Sequence, residues 1–395
     1  MELMDYKGNN NNNNNDNSSD DDIWDDNNDS NVESKLDNTV QDLIQLIFDK
    51  DMMEEQMKEI GYDAKKLPLG KIDKTVIDEA LELLKEIDDE LIEREKAKKS
   101  KKKRRQKNLT NLSSAYYTMV PHVFGMKTPP TINTKKMLSK ELKLVESLLE
   151  IEIATRLLKG ENKDDIEHPI DRHYKSLKCE LYTMNKKDKM YKNIVKYVKT
   201  NHGATHNSYT LDVMDIFEVN RDGEDKTFKK YCNNNNRMLL WHGSRLTNFV
   251  GILSEGLRIA PPSAPVTGYM FGKGVYFADI CSKSANYCWT NANNNTGLML
   301  LCEVALGQMN ELKYADYYAN NLPAGMLSTL GKGKTEPNKK TWITMDNGCI
   351  IPIGKPKVDH SFIGALLYNE MIVYNTNQIK MRYLVKLKFN YDDEW

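Results

Sequence analysis

The sequence predicts an α+β protein, an N-terminal all-helical bundle followed by a mixed, largely antiparallel α+β domain. Three observations carry this. Between Leu36 and Gly160 the apolar residues recur at helical spacing. After Gly160 they fall into short strand-like runs, often with short connections. In the last run, Met381, Tyr383, Val385, Leu387 and Phe389 line one face of a strand.

Taken in order, residues 1–33 are rich in Asn, Asp and Ser, with seven consecutive asparagines at 9–15 and an acidic block around Asp20–Asp29. Such a segment cannot bury enough apolar surface to offset its ordering entropy, so it is expected to be disordered. Val40, Leu43, Ile44, Ile47 and Phe48 form a first helical stripe. Ile77, Leu81, Leu84, Ile87 and Leu91 form a second, with LPLGK at 67–71 as the break between them. Leu138, Leu142, Val145, Leu148, Leu149, Ile153 and Leu157 form a third, after Pro129-Pro130, wide enough to be buried on more than one side. Between the second and third lies REKAKKSKKKRRQK (94–107), read as a flexible solvated loop or as a nuclear-import or nucleic-acid patch. Tyr191, Ile194, Val195 and Val198 suit one more helix. Strands are expected at 211–219, 237–241, 274–278, 298–306, 349–353, 371–374 and 381–389. Residues 308–341 lack periodicity and read as a long loop.

Composition narrows the function classes. Of the 395 residues 29% are charged, yet the net charge is −1, so the balance of the whole chain does not point to nucleic acid. Mean hydropathy is −0.65, no stretch reads as a bilayer span, and no basic-then-apolar leader begins the chain, so the expectation is a soluble protein with no membrane partner. The six cysteines form no CxxC pair and the seven histidines do not join them at zinc spacing, so no metal is expected.

Two phosphate-binding look-alikes fail on context. Gly272-Lys273-Gly274 leads into a strand, VYFA, instead of opening a helix. GKGKT at 331–335 has Ser328 where a P-loop needs its first glycine. The informative stretch is Leu239–Cys288. His242 ends a strand, and Gly243 behind it lets a ligand approach the backbone. Thr247 is read as the cap of a short helix ending at Gly256, and Asp279 as the cap of a helix carrying SKSANYC. On that helix Ser284 and Tyr287 share a face, able to bind and stack a planar amide, with Tyr276 supplying the opposite side. Taken singly, His242 and Tyr276 read most simply as structural residues.

WHGSR, APPSAPVTGYMFGKGVYFAD, SKSANYC and LLYNEMIVY closely resemble the catalytic domain of the poly(ADP-ribose) polymerases, in their DNA-damage-activated branch. VQDLIQLIFD, LPLGK, PHVFGMKTPP and LLEIEIATRLL resemble the regulatory helical domain that precedes it there. The resemblance implies a regulatory domain at 34–160 and an ADP-ribosyltransferase domain at 167–395. It implies a triad of His242, Tyr276 and Glu370 supported by Lys283, and NAD as a consumed substrate, not a bound cofactor. The Gly243 backbone and the Ser284 hydroxyl would then hold the nicotinamide amide, Tyr276 and Tyr287 would sandwich its ring, Asn248, Arg258 and Tyr269 would line the adenosine side, and Ser244 would also contact NAD. Glu146 and Glu150, four apart on the third stripe, would restrain access to the site.

The expected function is NAD-dependent poly(ADP-ribosyl) transfer to proteins, the enzyme itself included, in the nucleus, with a mono-transferase or a silent ADP-ribose or nucleic-acid binding scaffold as alternatives. The Trp-Gly-Arg and DNA-binding modules of that branch do not fit within 33 residues, so nucleic acid is expected, if anywhere, at 94–107. The branch ends in Leu-Trp and this chain in Glu394-Trp395. With His206, Trp395 marks the candidate dock for a protein that completes the site.

Overall fold

A computed structural model describes residues 32–96, 99–160 and 167–391. The expected disordered tail, apart from its last two positions, and Trp395 lie outside them. The helices and strands run in the order α1 (Asn38–Ile47), α2 (Lys50–Glu59), α3 (Lys74–Lys96), α4 (Lys99–Met119), α5 (Lys135–Lys159), α6 (Pro169–Ser176), β1 (Cys179–Thr183), α7 (Lys189–Thr200), β2 (Tyr209–Arg221) and α8 (Glu224–Phe228). There follow β3 (Arg237–Gly243), α9 (Phe249–Glu255), β4 (Val275–Phe277), α10 (Cys281–Ala285), β5 (Thr296–Ala305), β6 (Met309–Leu312), β7 (Ser328–Gly331) and β8 (Gly333–Pro337). The chain closes with β9 (Ile343–Thr344), β10 (Ile350–Ile351), β11 (Pro356–Val358), β12 (Leu366–Tyr368), β13 (Glu370–Val373) and β14 (Ile379–Tyr391).

Helix starts follow capping chemistry. Asp37 accepts from the Thr39 and Val40 amides, Asp49 from Met52 and Thr134 from Met137, each satisfying a donor that the first turn leaves unpaired. The three stripes read from the sequence are the buried faces of α1, α3 and α5. α5 buries residues on more than one side between Leu144 and Thr155, as the width of its stripe implied, because it lies between the other helices and the sheet domain.

A seven-stranded sheet is ordered β1-β2-β14-β5-β3-β10-β9. A four-stranded sheet is ordered β4-β13-β7-β6 and a small one β11-β8-β12. Only β10 on β3, β12 on β8 and β6 on β7 pair in parallel, so among the described residues the sheets are mainly antiparallel, as predicted. The large sheet is covered on both faces. Leu240, Leu300 and Leu384 join the apolar cluster that continues into the helical bundle, while Trp241, Leu301 and Val385 pack under α7 and α10. Burial on both faces explains why β5 reads TGLMLLCEVA with no alternation.

Two expectations are corrected. The basic segment 94–107 is not a loop: its first three residues end α3 and residues 99–107 open α4. Arg105 reaches Glu90 (3.0 Å) and Glu93 (3.3 Å) on α3, and Leu109, Ser113 and Tyr116 anchor the following turns. The charge run hid this stripe. Nor is 308–341 a structureless loop, since it contains β6, β7 and β8. Strand β7, STLG, is buried at every position, so it carries no polar–apolar alternation to read. Helix α2 was also missed, its buried side being only Met53, Gln56 and Met57.

Glu303 on β5 is 1% exposed and receives Arg237 and Arg382 together. Removing one partner of a buried ionic cluster leaves uncompensated charge. Glu303→Ala is therefore expected to cost about 3–5 kcal/mol, read as a fall in the urea midpoint.

Candidate active site

Strands β3, β4 and β13 converge where the large and four-stranded sheets meet. The junction is a bridge in which Trp241 and Ala278 exchange backbone hydrogen bonds of 2.9 and 3.0 Å. One residue on, the His242 Nδ1–H donates to the Tyr276 carbonyl (2.9 Å), which leaves Nε2 as the acceptor. Burial lowers the His242 pKa, favouring the neutral ring. Gly243 follows, where an added Cβ would lie 1.9 Å from the Ser284 carbonyl oxygen, so only glycine allows α10 to sit against β3. The Ser284 hydroxyl donates to the Trp241 carbonyl (2.9 Å) and fixes that contact from the other side.

On β13, Ile372 pairs with Tyr276 of β4, which sets Glu370 at the strand start beside the same junction. Lys283 of α10 binds Glu370 Oε1 at 2.7 Å and donates to the Tyr368 carbonyl at 3.1 Å. The Tyr276 hydroxyl is fixed by the loop before it, accepting from the Phe271 amide (3.0 Å) and donating to the Gly272 carbonyl (2.7 Å). Tyr287, in the turn after α10, is 45% exposed. Burial, helped by the nearby Glu370 carboxylate, raises the pKa of both phenols. Ser244 and Asn248 hold each other, the amide donating to the hydroxyl at 2.8 Å. The residues predicted for the triad and the ring platform are thus brought together. His206 lies nearby, its Nδ1 2.8 Å from the Ser282 hydroxyl and its ring 4.9 Å from Tyr368.

Two predicted caps do not form. Asp279 is held by the Asn369 side chain (2.8 Å) and α10 starts after Ile280 with no side-chain cap. Thr247 lies inside a 3-10 turn and donates to Asn248 at 3.0 Å.

Two of the three residues expected on the adenosine side, Tyr269 and Arg258, are engaged by the helical bundle. The Tyr269 hydroxyl donates to Glu146 Oε1, and Arg258 pairs with Glu150 Oε1 and with Glu255 (2.7 Å). Glu150 Oε2 has no hydrogen-bond partner and faces Gly251 so closely that a Cβ there would lie 1.9 Å away. Leu142 fills the space a Cβ on Gly268 would need. Asp88 of α3 accepts from the amide and hydroxyl of Thr267. Asp88, Leu142, Lys143 and Trp289 are site neighbours the sequence reading missed, since contacts between distant segments leave no local pattern.

Residues 188–389 match the model described as poly(ADP-ribose) polymerase catalytic domain. Residues 34–174 match the model described as poly(ADP-ribose) polymerase, regulatory domain. The chain belongs to the poly(ADP-ribose) polymerase family. It is 49% identical over 361 residues to poly(ADP-ribose) polymerase 2-A of Oryza sativa subsp. japonica, covering 91% of this chain and 53% of that protein. It is 49% identical over 363 residues to poly(ADP-ribose) polymerase 2 of Arabidopsis thaliana (91% and 55%). With poly(ADP-ribose) polymerase 2 of Homo sapiens it shares 47% over 367 residues (92% and 60%). The chain thus spans little more than half the length of these relatives.

In this chain the environment of the α5 carboxylates Glu146 and Glu150 shifts their pKa values upward. Burial raises both, Glu150 to about 7 despite the Arg258 guanidinium beside it. A carboxyl whose pKa is raised on docking binds its proton more tightly docked than free. Its contribution to docking is therefore present below its ordinary value of 4.5 and lost as pH rises to about 7. Amide exchange in α5 is expected to speed up, relative to that in β5, between pH 5 and 7.5, and Glu150→Gln to flatten that dependence.

Proposed function

We propose that the chain is an NAD-consuming protein ADP-ribosyltransferase that builds poly(ADP-ribose) on proteins, itself included. One observation carries the reading: Glu370, held by Lys283 at 2.7 Å, stands at the same junction as His242, Gly243, Ser284 and the rings of Tyr276 and Tyr287.

In the proposed reaction the bond between the nicotinamide nitrogen and the ribose carbon breaks, and its electron pair goes to nicotinamide. Positive charge develops on the ribose carbon, as in glycoside cleavage. The Glu370 carboxylate stabilises that charge and orients the adjacent hydroxyl. An acceptor oxygen then bonds to the carbon and releases its proton towards Glu370. The backbone of Gly243 and the Ser284 hydroxyl hold the carboxamide, and Tyr276 and Tyr287 stack the ring, which fixes the leaving group. His242, with Nε2 as acceptor, takes a ribose hydroxyl of the adenosine half. Asn248, Arg258 and Tyr269 line that half. Two of these three are engaged by Glu146 and Glu150, which supports a restrained resting state: NAD and α5 compete for the same groups, so whatever loosens α5 raises apparent affinity.

The basic stretch supports a nuclear location and a nucleic-acid contact. Helix α4 carries no acidic residue, and Lys101, Lys102, Lys103, Arg104 and Lys107 are exposed in its first turns. Cations there repel one another and oppose the helix dipole, an arrangement a polyanion relieves. His206 is the proposed contact for a site-completing protein.

Labelled NAD incorporation is the test. Glu370→Gln is expected to lower it by about 10²- to 10³-fold, the loss typical of removing one transition-state stabilising group, and to abolish long chains on a gel. Long polymer from that variant would overturn the assignment, and single units from the wild type would favour mono-transfer. Nicked DNA is expected to raise turnover in the full chain, and charge-neutral replacements at Lys101, Lys102, Lys103, Arg104 and Lys107 to remove the increase. No stimulation of the wild type would exclude the nucleic-acid role.

A further inference from the structure

One cation sits on the ring platform and has no part in the chemistry above. Lys143 of α5 places its ammonium 5.5 Å from the centre of the Tyr287 ring and 5.8 Å from that of Trp289. Trp289 is in the left-handed region (φ 55°), which turns its ring out of the chain path to half exposure. Arg245, 7% exposed, lies 4.5 Å from the same indole. Two cations and two rings thus form one cluster at the nicotinamide end of the site. The acids acting on it are Glu146, one turn along α5 from Lys143, Glu59, which faces Arg245, and Glu370, which acts on Tyr287.

A ring that already holds an ammonium over its face is a poorer partner for a second cation, because both draw on the same negative π-face and repel one another. The nicotinamide ring of NAD is a pyridinium cation, whereas free nicotinamide is neutral and of nearly the same shape. An ammonium on the platform therefore separates the two by charge alone.

We infer that Lys143 is a specificity-determining residue of the docked helical domain, a charge filter that disfavours cationic pyridinium rings on Tyr287 relative to neutral carboxamides. This rests on the reading of Tyr287 as the nicotinamide platform. It goes beyond occlusion of the adenosine side, since Glu146 and Glu150 act on Tyr269 and Arg258 and neither touches Tyr287 in the contacts described above. The consequence is that the resting enzyme holds its product-like ligand more readily than its substrate, and undocking α5 reverses the preference.

The test measures binding of nicotinamide and of the 1-methylnicotinamide cation to the full chain by titration calorimetry. Lys143 is exposed, so Lys143→Met leaves the core intact, and a thermal melt checks this. Lys143→Met is expected to strengthen binding of the cation about tenfold, the order of one screened charge–charge contact, and that of nicotinamide less than twofold. Lys143→Arg is expected to keep the wild-type ratio. Equal gains for both ligands would reduce Lys143 to a steric plug and overturn the filter, as would no change in the ratio. Tyr287→Ala separates the two readings: if it leaves nicotinamide binding unchanged, the platform itself is misassigned, whereas if it weakens binding and the Lys143→Met ratio is flat, only the filter fails.

Discussion

The arrangement of the whole chain depends on one packing constraint: α5 lies between the helical bundle and the mouth of the site with two carboxylates on its inner face. Burying carboxylates is costly unless each finds a partner. Glu146 finds the Tyr269 hydroxyl and Glu150 finds Arg258, both on the wall of the site. The partners are imperfect, because Glu150 Oε2 stays unpaired and burial outweighs Arg258 in setting the Glu150 pKa. A contact that is charged, buried and incompletely satisfied is specific in geometry and weak in net energy. That combination suits the proposed role of α5, docking in one place and still able to leave.

The chemistry-bearing side is built on the opposite principle. Apolar layers bury the large sheet on both faces, so β3 and β5 are fixed by packing as well as by their hydrogen bonds. Gly243 and Ser284 approach to a distance that admits no side chain, and the Trp241–Ala278 bridge joins the two sheets at the same point. His242, Tyr276 and Glu370 need no loop to find one another. Each is placed by a strand, His242 near the end of β3, Tyr276 in the middle of β4 and Glu370 at the start of β13, which suits a site that must hold a ligand ring and a reacting carbon in fixed relation.

What was legible in the sequence follows the same division. The period of α1, α3 and α5 was readable because each buries one apolar stripe, and β14 because its faces alternate. The strand positions of His242 and Tyr276 were readable as short strand-like runs, without alternation in β3. The pairing of Glu370 with Lys283 came from family resemblance and not from spacing, since it joins β13 to α10 across 87 positions. β7 was invisible because all four of its residues are buried, and α4 because its charge run masks a stripe that begins only at Leu109. The caps proposed at Thr247 and Asp279 failed because the two side chains were drawn to Asn248 and Asn369 instead.

Charge along the site then acquires a direction. Glu370 and its Lys283 partner stand at the ribose end of the proposed substrate path, and Lys143 and Arg245 at the nicotinamide end. Cleavage of the proposed substrate moves positive charge from the pyridinium ring to the ribose carbon, that is, away from the cations and towards the carboxylate. A field pointing this way opposes binding of the intact cation and favours its rupture. Both effects come from the same field and are strongest while α5 is docked, where α5 also holds Tyr269 and Arg258. In the proposed function, a helix that supplies part of that field and engages the adenosine side gives up both roles together when it undocks. On the proposed function, control of NAD access therefore belongs in the docking equilibrium of α5 and not in the strands that carry the proposed triad.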